Sequence, residues 1–268
     1  MIVGDEPNEH WELGDRYEAY IGRWSRSVAR QFVAWLEPRA GLDWLDVGCG
    51  TGALTAIVLE AAQPGSVIGV DPSSGFIEHA RSLVRDPRAR FMLGDAQRLP
   101  LEDATVDSAV SGLVLNFVPD PGRAVAEMRR ATRTGGIVAA YVWDLAADMQ
   151  LIRRFWDAAI AEDRAAAALD EARRFPLAAR SPLEDLFQAA GLGSVETVAL
   201  DVPTIFRDFD DLWTPFLGGQ GPGPSYVATL EATARELLRE RLRGSLSTEV
   251  DGSIQLIARA WAIRGRSR

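Results

Sequence analysis

The stretch Trp44-Leu45-Asp46-Val47-Gly48-Cys49-Gly50-Thr51-Gly52-Ala53-Leu54-Thr55 decides the fold of this chain. The short apolar run from Leu42 to Val47 predicts a buried parallel strand. Glycines at alternate positions then turn the backbone tightly, and the apolar-periodic segment Ala53 to Ala62 predicts a helix. Glycine is needed where backbone takes a positive φ or must come close to a ligand. The helix start beyond it presents unpaired N–H groups and a positive dipole end. Strand, glycine loop and helix therefore make a site for a nucleotide-like ligand.

Downstream, the same rhythm repeats. A second buried strand over Ser66 to Val70 ends at Asp71-Pro72-Ser73, where Ser73 is a suitable cap for a helix from Gly75 to Arg85. A third strand, Arg88 to Leu93, ends at Gly94-Asp95-Ala96, and a fourth runs from Val106 to about Leu115. Asp120-Pro121 opens a helix through Thr132. Gly135-Gly136 leads into a fifth strand, Ile137 to Trp143. Strands alternating with helices predict a parallel sheet covered on both faces. The right-handed crossover rule puts their carboxyl ends at one edge, where ligands bind. Asp46, Asp71, Asp95 and Asn116 fall at or near those ends.

Upstream, Asp15 to Glu37 is helical in pattern, with a break near Gly22 to Ser25, after a polar lead-in over residues 1–14. Beyond Trp143 the expected elements are an alanine-rich helix from Met149 to Ala168, a helix capped by Ser181-Pro182, and a strand over Val195 to Phe206. A short helix from Asp208 to Leu217 comes next. Gly218 to Pro224 reads as irregular, Tyr226 to Arg243 as one helix and Ile254 to Arg264 as the last strand. One domain is expected: cover helices over 1–40, a ligand-binding core over 41–145, helical lid insertions over 146–192 and 207–250, and last strands over 193–206 and 253–265.

Composition narrows the chemistry. The 268 residues carry a net charge of -9, which disfavours nucleic acid as the main partner because phosphate binding needs clustered positive charge. All 29 basic residues are arginine, so lysine Schiff-base chemistry is out of reach. One cysteine and two histidines leave few nitrogen or sulfur ligands for a metal, and none is expected. With a polar N-terminus and no run of 18 apolar residues, the expectation is a cytoplasmic protein without a membrane segment.

The three strand-end aspartates specify the ligand. Asp71, 19 residues beyond Gly52, can accept two hydrogen bonds from a ribose diol. Asp95 can accept from an adenine amino group while the N–H of Ala96 donates to the ring. Asp46 can orient the glycine loop or meet a ligand ammonium. Strand-end aspartates also cap helices and solvate loops; their register with the glycine loop is what favours a ligand. A pyrophosphate fingerprint needs G-x-G-x-x-G, and the third-glycine position here is Ala53.

On these residues the sequence resembles the class I S-adenosylmethionine-dependent methyltransferases, specifically their type 11 small-molecule group. Leu45 to Gly52 looks like the family's first motif, Gly69-Val70-Asp71-Pro72-Ser73 its acidic ribose loop, and Gly94-Asp95-Ala96 with Leu99-Pro100 its adenine loop. Pro119-Asp120-Pro121 and Arg133-Thr134-Gly135-Gly136 resemble its later punctuation. The resemblance covers residues 42–145 and implies an α/β, Rossmann-like doubly wound sheet of seven strands, the last one antiparallel, with helical lid insertions. It implies that Gly48, Cys49, Gly50 and Gly52 meet the methionine part of S-adenosylmethionine, with S-adenosylhomocysteine as product. Pro72 and Phe76 would lie beside the adenine, and Ser111 and Gly112 near the amino group and methyl. Tyr20 and Arg23 are candidates for a cover over the cofactor, an arginine being suited to its carboxylate; packing on the sheet is the alternative.

For the acceptor, Asp144 directly after strand five is the candidate base or orienter, with a loop cap as its alternative. Asn116, Trp143, Trp213 and Phe216 are candidate substrate contacts, although such aromatics also build a lid's own core. Methyl transfer needs alignment and water exclusion more than acid–base chemistry. The expected reaction is transfer to oxygen, nitrogen or carbon of a small organic acceptor. The rivals are a protein methyltransferase, a nicotinamide-dependent reductase and a non-catalytic cofactor-binding protein.

Overall fold

A computed structural model describes residues 23–175, 177, 179–218 and 221–268, with the side chain of Arg23 outside that description. The expected lead-in and the helical pattern before residue 23 lie outside the described residues. The first described helix, α1 (Arg23–Leu36), leads into β1 (Asp43–Val47). Then come α2 (Ala53–Ala61), β2 (Ser66–Asp71), α3 (Ser74–Leu83), β3 (Ala89–Leu93) and β4 (Val106–Gly112). After a 3-10 turn over Leu115–Phe117 follow α4 (Pro121–Ala131) and β5 (Thr132–Trp143).

The later elements are α5 (Gln150–Glu162), α6 (Glu171–Arg174), α7 (Arg180–Ala189), β6 (Gly193–Phe206), α8 (Phe209–Trp213), α9 (Pro222–Thr229), α10 (Ala232–Gly244) and β7 (Ile254–Arg266). The sheet has seven strands in the order β3-β2-β1-β4-β5-β7-β6. β1 to β5 are mutually parallel, and β7 runs antiparallel to β5. The expected α/β sheet with a reversed last strand is thus present. The direction of winding switches between β1 and β4, which puts the carboxyl end of β1 at the crevice where such sheets bind ligands.

Caps follow the sequence at two helices. Ser73 accepts from the N–H of Phe76 at the start of α3, and Asp120 accepts from the N–H of Arg123 with Pro121 at the first helical position of α4. Elsewhere the expectations need correction. Ser181 does not cap α7; the helix begins one residue earlier, after an extended Ala179. Pro182 then falls in the first turn, where a missing N–H costs no intrahelical bond.

The glycine- and proline-rich run from Gly218 is helical at both ends, a 3-10 turn over Thr214–Gly218 and α9 from Pro222. Pro222 at the start of a helix has its φ already set. The expected helix from Tyr226 to Arg243 is two helices, broken at Leu230 and Glu231, which are extended. The alanine-rich segment ends as α-helix at Glu162, because Asp163 turns the chain and accepts from the N–H of Ala165 to begin a 3-10 turn.

Two compact units divide the chain. One comprises Ser25–Asp144, Phe175–Val202 and Arg259–Arg268; the other holds Leu145–Arg174 and Pro203–Ala258 together with Trp24. The core of the first is aliphatic, with Leu45, Val47, Val106, Ala109, Val138 and Ala140 of the central strands packed against Val125 and Met128 of α4 and Leu183 and Phe187 of α7. Helix α7, grouped from sequence with the insertions, packs in the sheet unit. The second unit has an aromatic core: Phe155 stacks on Phe216 at 4.4 Å and 10°, Trp156 lies 5.7 Å from Tyr226, and the Trp156 indole donates to the buried Glu171 at 2.8 Å.

Candidate active site

Asp46, the fourth residue of β1, is 1% exposed. Its Oδ2 accepts from the Thr55 hydroxyl at 2.7 Å, while its Oδ1 is buried with no hydrogen-bond partner. Burial pushes its pKa up from 3.8 to about 7, opposed by the Thr55 bonds and reinforced by the negative charge of Asp71. A buried carboxylate oxygen without a donor is costly. The site is therefore short of one cationic or protonic donor at the tip of β1.

The loop after β1 needs its glycines for two different reasons. Gly48, Gly50 and Gly52 all have positive φ, at 72°, 52° and 85°. At Gly48 a Cβ would also lie 2.5 Å from Val114. At Gly50 nothing stands within 4 Å of where a Cβ would be, so the loop offers a bare backbone surface there. Four of its N–H groups are already bonded within the protein. Those of Gly48 and Cys49 both go to the Val70 carbonyl, at 2.8 and 3.1 Å, and that of Gly52 to the Cys49 carbonyl. The Gly50 N–H goes to Asp71 Oδ2 at 2.9 Å. The Cys49 thiol is buried, and desolvation followed by the charges of Asp46 and Asp71 keeps it protonated.

Asp71 therefore does two jobs. Its carboxylate locks the loop through Gly50 and the start of α3 through the N–H of Ser73, at 2.9 Å on Oδ1. Burial raises its pKa against these bonds. Each oxygen retains a lone pair, which suits a ligand diol. Pro72 is exposed and Phe76 half-buried at the adjacent start of α3. Asp95 is exposed, with its oxygens on the N–H and side-chain amide of Gln97, which hold its pKa down; Ala96 beside it is buried.

Ser111 and Gly112 have packing roles of their own. The Ser111 hydroxyl donates to the Val47 carbonyl at 2.9 Å, tying β4 to the end of β1. A Cβ on Gly112 would meet the Tyr141 hydroxyl at 2.6 Å.

Two acceptor-side candidates of the sheet unit carry buried polar atoms without partners, Asn116 Oδ1 and Trp143 Nε1. Asn116 sits in the 3-10 turn after β4 and Trp143 ends β5. Asp144 is 3% exposed, and its N–H bonds to the Arg259 carbonyl of β7. Trp213 and Phe216 belong to the other unit, buried in its aromatic core 5.8 Å apart. Tyr20 and the side chain of Arg23 lie outside the described residues.

Sequence reasoning assigned no role to Thr55, Val70, Val114 or Tyr141. Thr55 had a signal, a hydroxyl in the first turn of a largely apolar helix. The other three act through a carbonyl or through bulk, which no motif marks.

A reversed last strand between β5 and β6, a winding switch at β1 and a glycine loop locked by the next strand's aspartate define the class I S-adenosylmethionine-dependent methyltransferase fold. Residues 45–140 match the sequence family described as a methyltransferase domain. The similarity to the type 11 methyltransferases is carried by residues 45–140.

The demethylmenaquinone methyltransferase of Symbiobacterium thermophilum is 38% identical over 137 residues, 47% of this chain and 53% of that one. The malonyl-[acyl-carrier protein] O-methyltransferase of Pectobacterium atrosepticum is 32% identical over 114 residues, 42% of this chain and 44% of that one. The match thus spans about half the length of these curated relatives. Phosphoethanolamine N-methyltransferase 2 of Haemonchus contortus, solved in complex with S-adenosyl-L-methionine, shares the fold at a TM-score of 0.55 and 15% identity, covering 92% of this chain and 53% of that one.

Proposed function

We propose that this protein transfers a methyl group from S-adenosylmethionine to a small organic acceptor. The observation that carries the cofactor assignment is the orphaned Oδ1 of Asp46, buried beside a loop with no side chain at Gly50. A ligand ammonium supplies the missing donor, and a charge-assisted bond there is stronger than a neutral one. The cofactor supplies an electrophilic methyl on a sulfonium. Asp46 in its ionised form holds the amino acid end, Asp71 accepts from the ribose diol, and Asp95 with Ala96 reads the adenine edge. The named relatives act on small or carrier-bound acceptors by their descriptions, which supports the same class here.

On the acceptor side, Asn116 Oδ1 and Trp143 Nε1 offer one acceptor and one donor for orientation. Asp144 takes the proton that a hydroxyl or protonated amine loses in becoming the nucleophile. The rest of the rate comes from alignment and exclusion of water.

Calorimetric titration with S-adenosylhomocysteine and, separately, with NADH and NADPH tests the cofactor. Saturable binding of the first alone is expected; tight nicotinamide binding without it would overturn the assignment. Turnover is then read by mass spectrometry of an acceptor panel of phenols, amines, carboxylic acids and activated methylenes. A methylated product from at least one class is expected. Cofactor binding with methylation found only on added proteins would replace the small acceptor by a macromolecular one.

A further inference from the structure

The opposite edge of the sheet holds a cavity that lies wholly within the sheet unit. It has a volume of about 570 Å³ and opens at the amino ends of the parallel strands, between the α1–β1 connection, the starts of β4 and β5 and the end of β7. Trp44 on its wall is four residues before Gly48, so ~13 Å of strand separates it from the glycine loop at 3.3 Å per residue.

The charges of this cleft are unevenly spent. Four arginines and three carboxylates line it, Arg39, Arg133, Arg264 and Arg266 against Glu37, Asp107 and Glu196. That is a positive excess of one in a chain of net charge -9. Arg133 pairs with Asp107 at 2.8 Å and with Asp43 at 3.3 Å, and Arg264 pairs with Glu196 at 2.7 Å while donating to the Trp35 carbonyl. Two guanidiniums are left over. Arg266 donates to the Gly135 carbonyl only, and Arg39 has no carboxylate partner among the described residues. Glu37 on the rim is exposed and unpaired as well.

Two further observations point to a ligand. Trp44, 1% exposed and part of the lining, has a buried indole N–H with no partner. One non-glycine residue of the lining outside a helix end is in the left-handed region, Ser194 at φ 50°, and such backbone strain gathers at ligand-holding positions. Leu36, Pro38, Leu42 and Ile137 supply apolar wall beside the Trp44 indole.

We propose that this cleft binds a small organic anion with a flat apolar body, its acid group held by Arg39 and Arg266 and its body against the Trp44 side. The site is separate from the methyl-transfer edge. Its position beneath β1 and β4, the strands that present Asp46 and Asn116, makes it suited to report an anionic metabolite to the fold.

Titration of the full chain with 8-anilinonaphthalene-1-sulfonate, an aromatic anion that fluoresces when desolvated, tests it. One saturable site is expected, unaffected by excess S-adenosylhomocysteine. Arg39→Ala and Arg266→Ala should each weaken it about tenfold, the loss of one charge-assisted bond, with melting temperatures unchanged because both residues are exposed. The uncharged analogue N-phenyl-1-naphthylamine should bind at least about tenfold more weakly. Absence of saturation, binding by either arginine variant as tight as by the wild type, equal binding of the charged and uncharged probes, or displacement by S-adenosylhomocysteine would each overturn the proposal.

Discussion

Asp46 carries two demands that pull its protonation in opposite directions. Alone, the buried carboxyl keeps its proton to about pH 7; against a ligand ammonium it must be ionised. Cofactor affinity is therefore expected to rise with pH through about 7 and level off above it, as read by titration with S-adenosylhomocysteine from pH 5.5 to 8.5. Asp46→Asn should lower affinity about 10- to 100-fold at pH 8 and flatten the profile. The same group bears on stability in the ligand-free chain. Its folded pKa is raised above the unfolded 3.8, so between about pH 4 and pH 7 the folded state binds more protons and loses stability as pH rises, by on the order of a few kcal/mol. Melting curves should show that fall in the wild type and lack it in Asp46→Asn. Asp71 is different in kind, since its oxygens already hold the N–H groups of Gly50 and Ser73. Asp71→Ala should weaken cofactor binding more than tenfold and also lower the melting temperature, because two part-buried donors lose their acceptor.

At the scale of elements, β5 shows how a strand can serve two ends of the sheet. Its pairing with β4 advances two residues on β4 against five on β5 between Val106 and Ser108. The four residues between, Arg133-Thr134-Gly135-Gly136, face the single Asp107, a surplus of three, and line the lower cleft. Gly135 has a φ of 82°, and a Cβ on Gly136 would meet the Asp107 carbonyl at 2.5 Å, so both glycines are needed for one bulge. Past it the strand is buried and regular to Trp143, delivering Asp144 to the upper edge. Helix α7 is held to this sheet by Leu183 and Phe187, both fully buried. Phe187→Ala should cost about 3–5 kcal/mol, measured as a lowered urea midpoint, while leaving the cofactor affinity of the folded protein unchanged, since α7 contributes no residue to that site.

For the whole molecule, net charge sets what approaches it. At -9 the chain has no general attraction for phosphate backbones, and duplex RNA is expected not to bind at 0.15 M salt in a gel-shift assay. Cofactor binding should be nearly indifferent to salt, changing less than about threefold between 0.05 and 0.5 M, because a buried pair at Asp46 is screened far less than a surface one. Among the described residues no helix is long and apolar enough to cross a membrane.

Local order along the chain was enough for the glycine loop, the alternation of strands and helices, the caps at Ser73 and Asp120, and the strand-end placement of Asp46, Asp71 and Asp95. Each of these depends on a few neighbouring residues, on hydrophobic period, or on the conformations open to glycine and proline. Tertiary structure alone decided the rest. Only the packed sheet leaves one oxygen of Asp46 without a donor, spends the N–H groups of Gly48, Cys49 and Gly50 on Val70 and Asp71, buries Phe216 in an aromatic core and leaves Arg39 and Arg266 without a carboxylate partner in a cleft. Those are properties of burial and of partners far apart in sequence, and they exist only once distant segments have excluded water from between them.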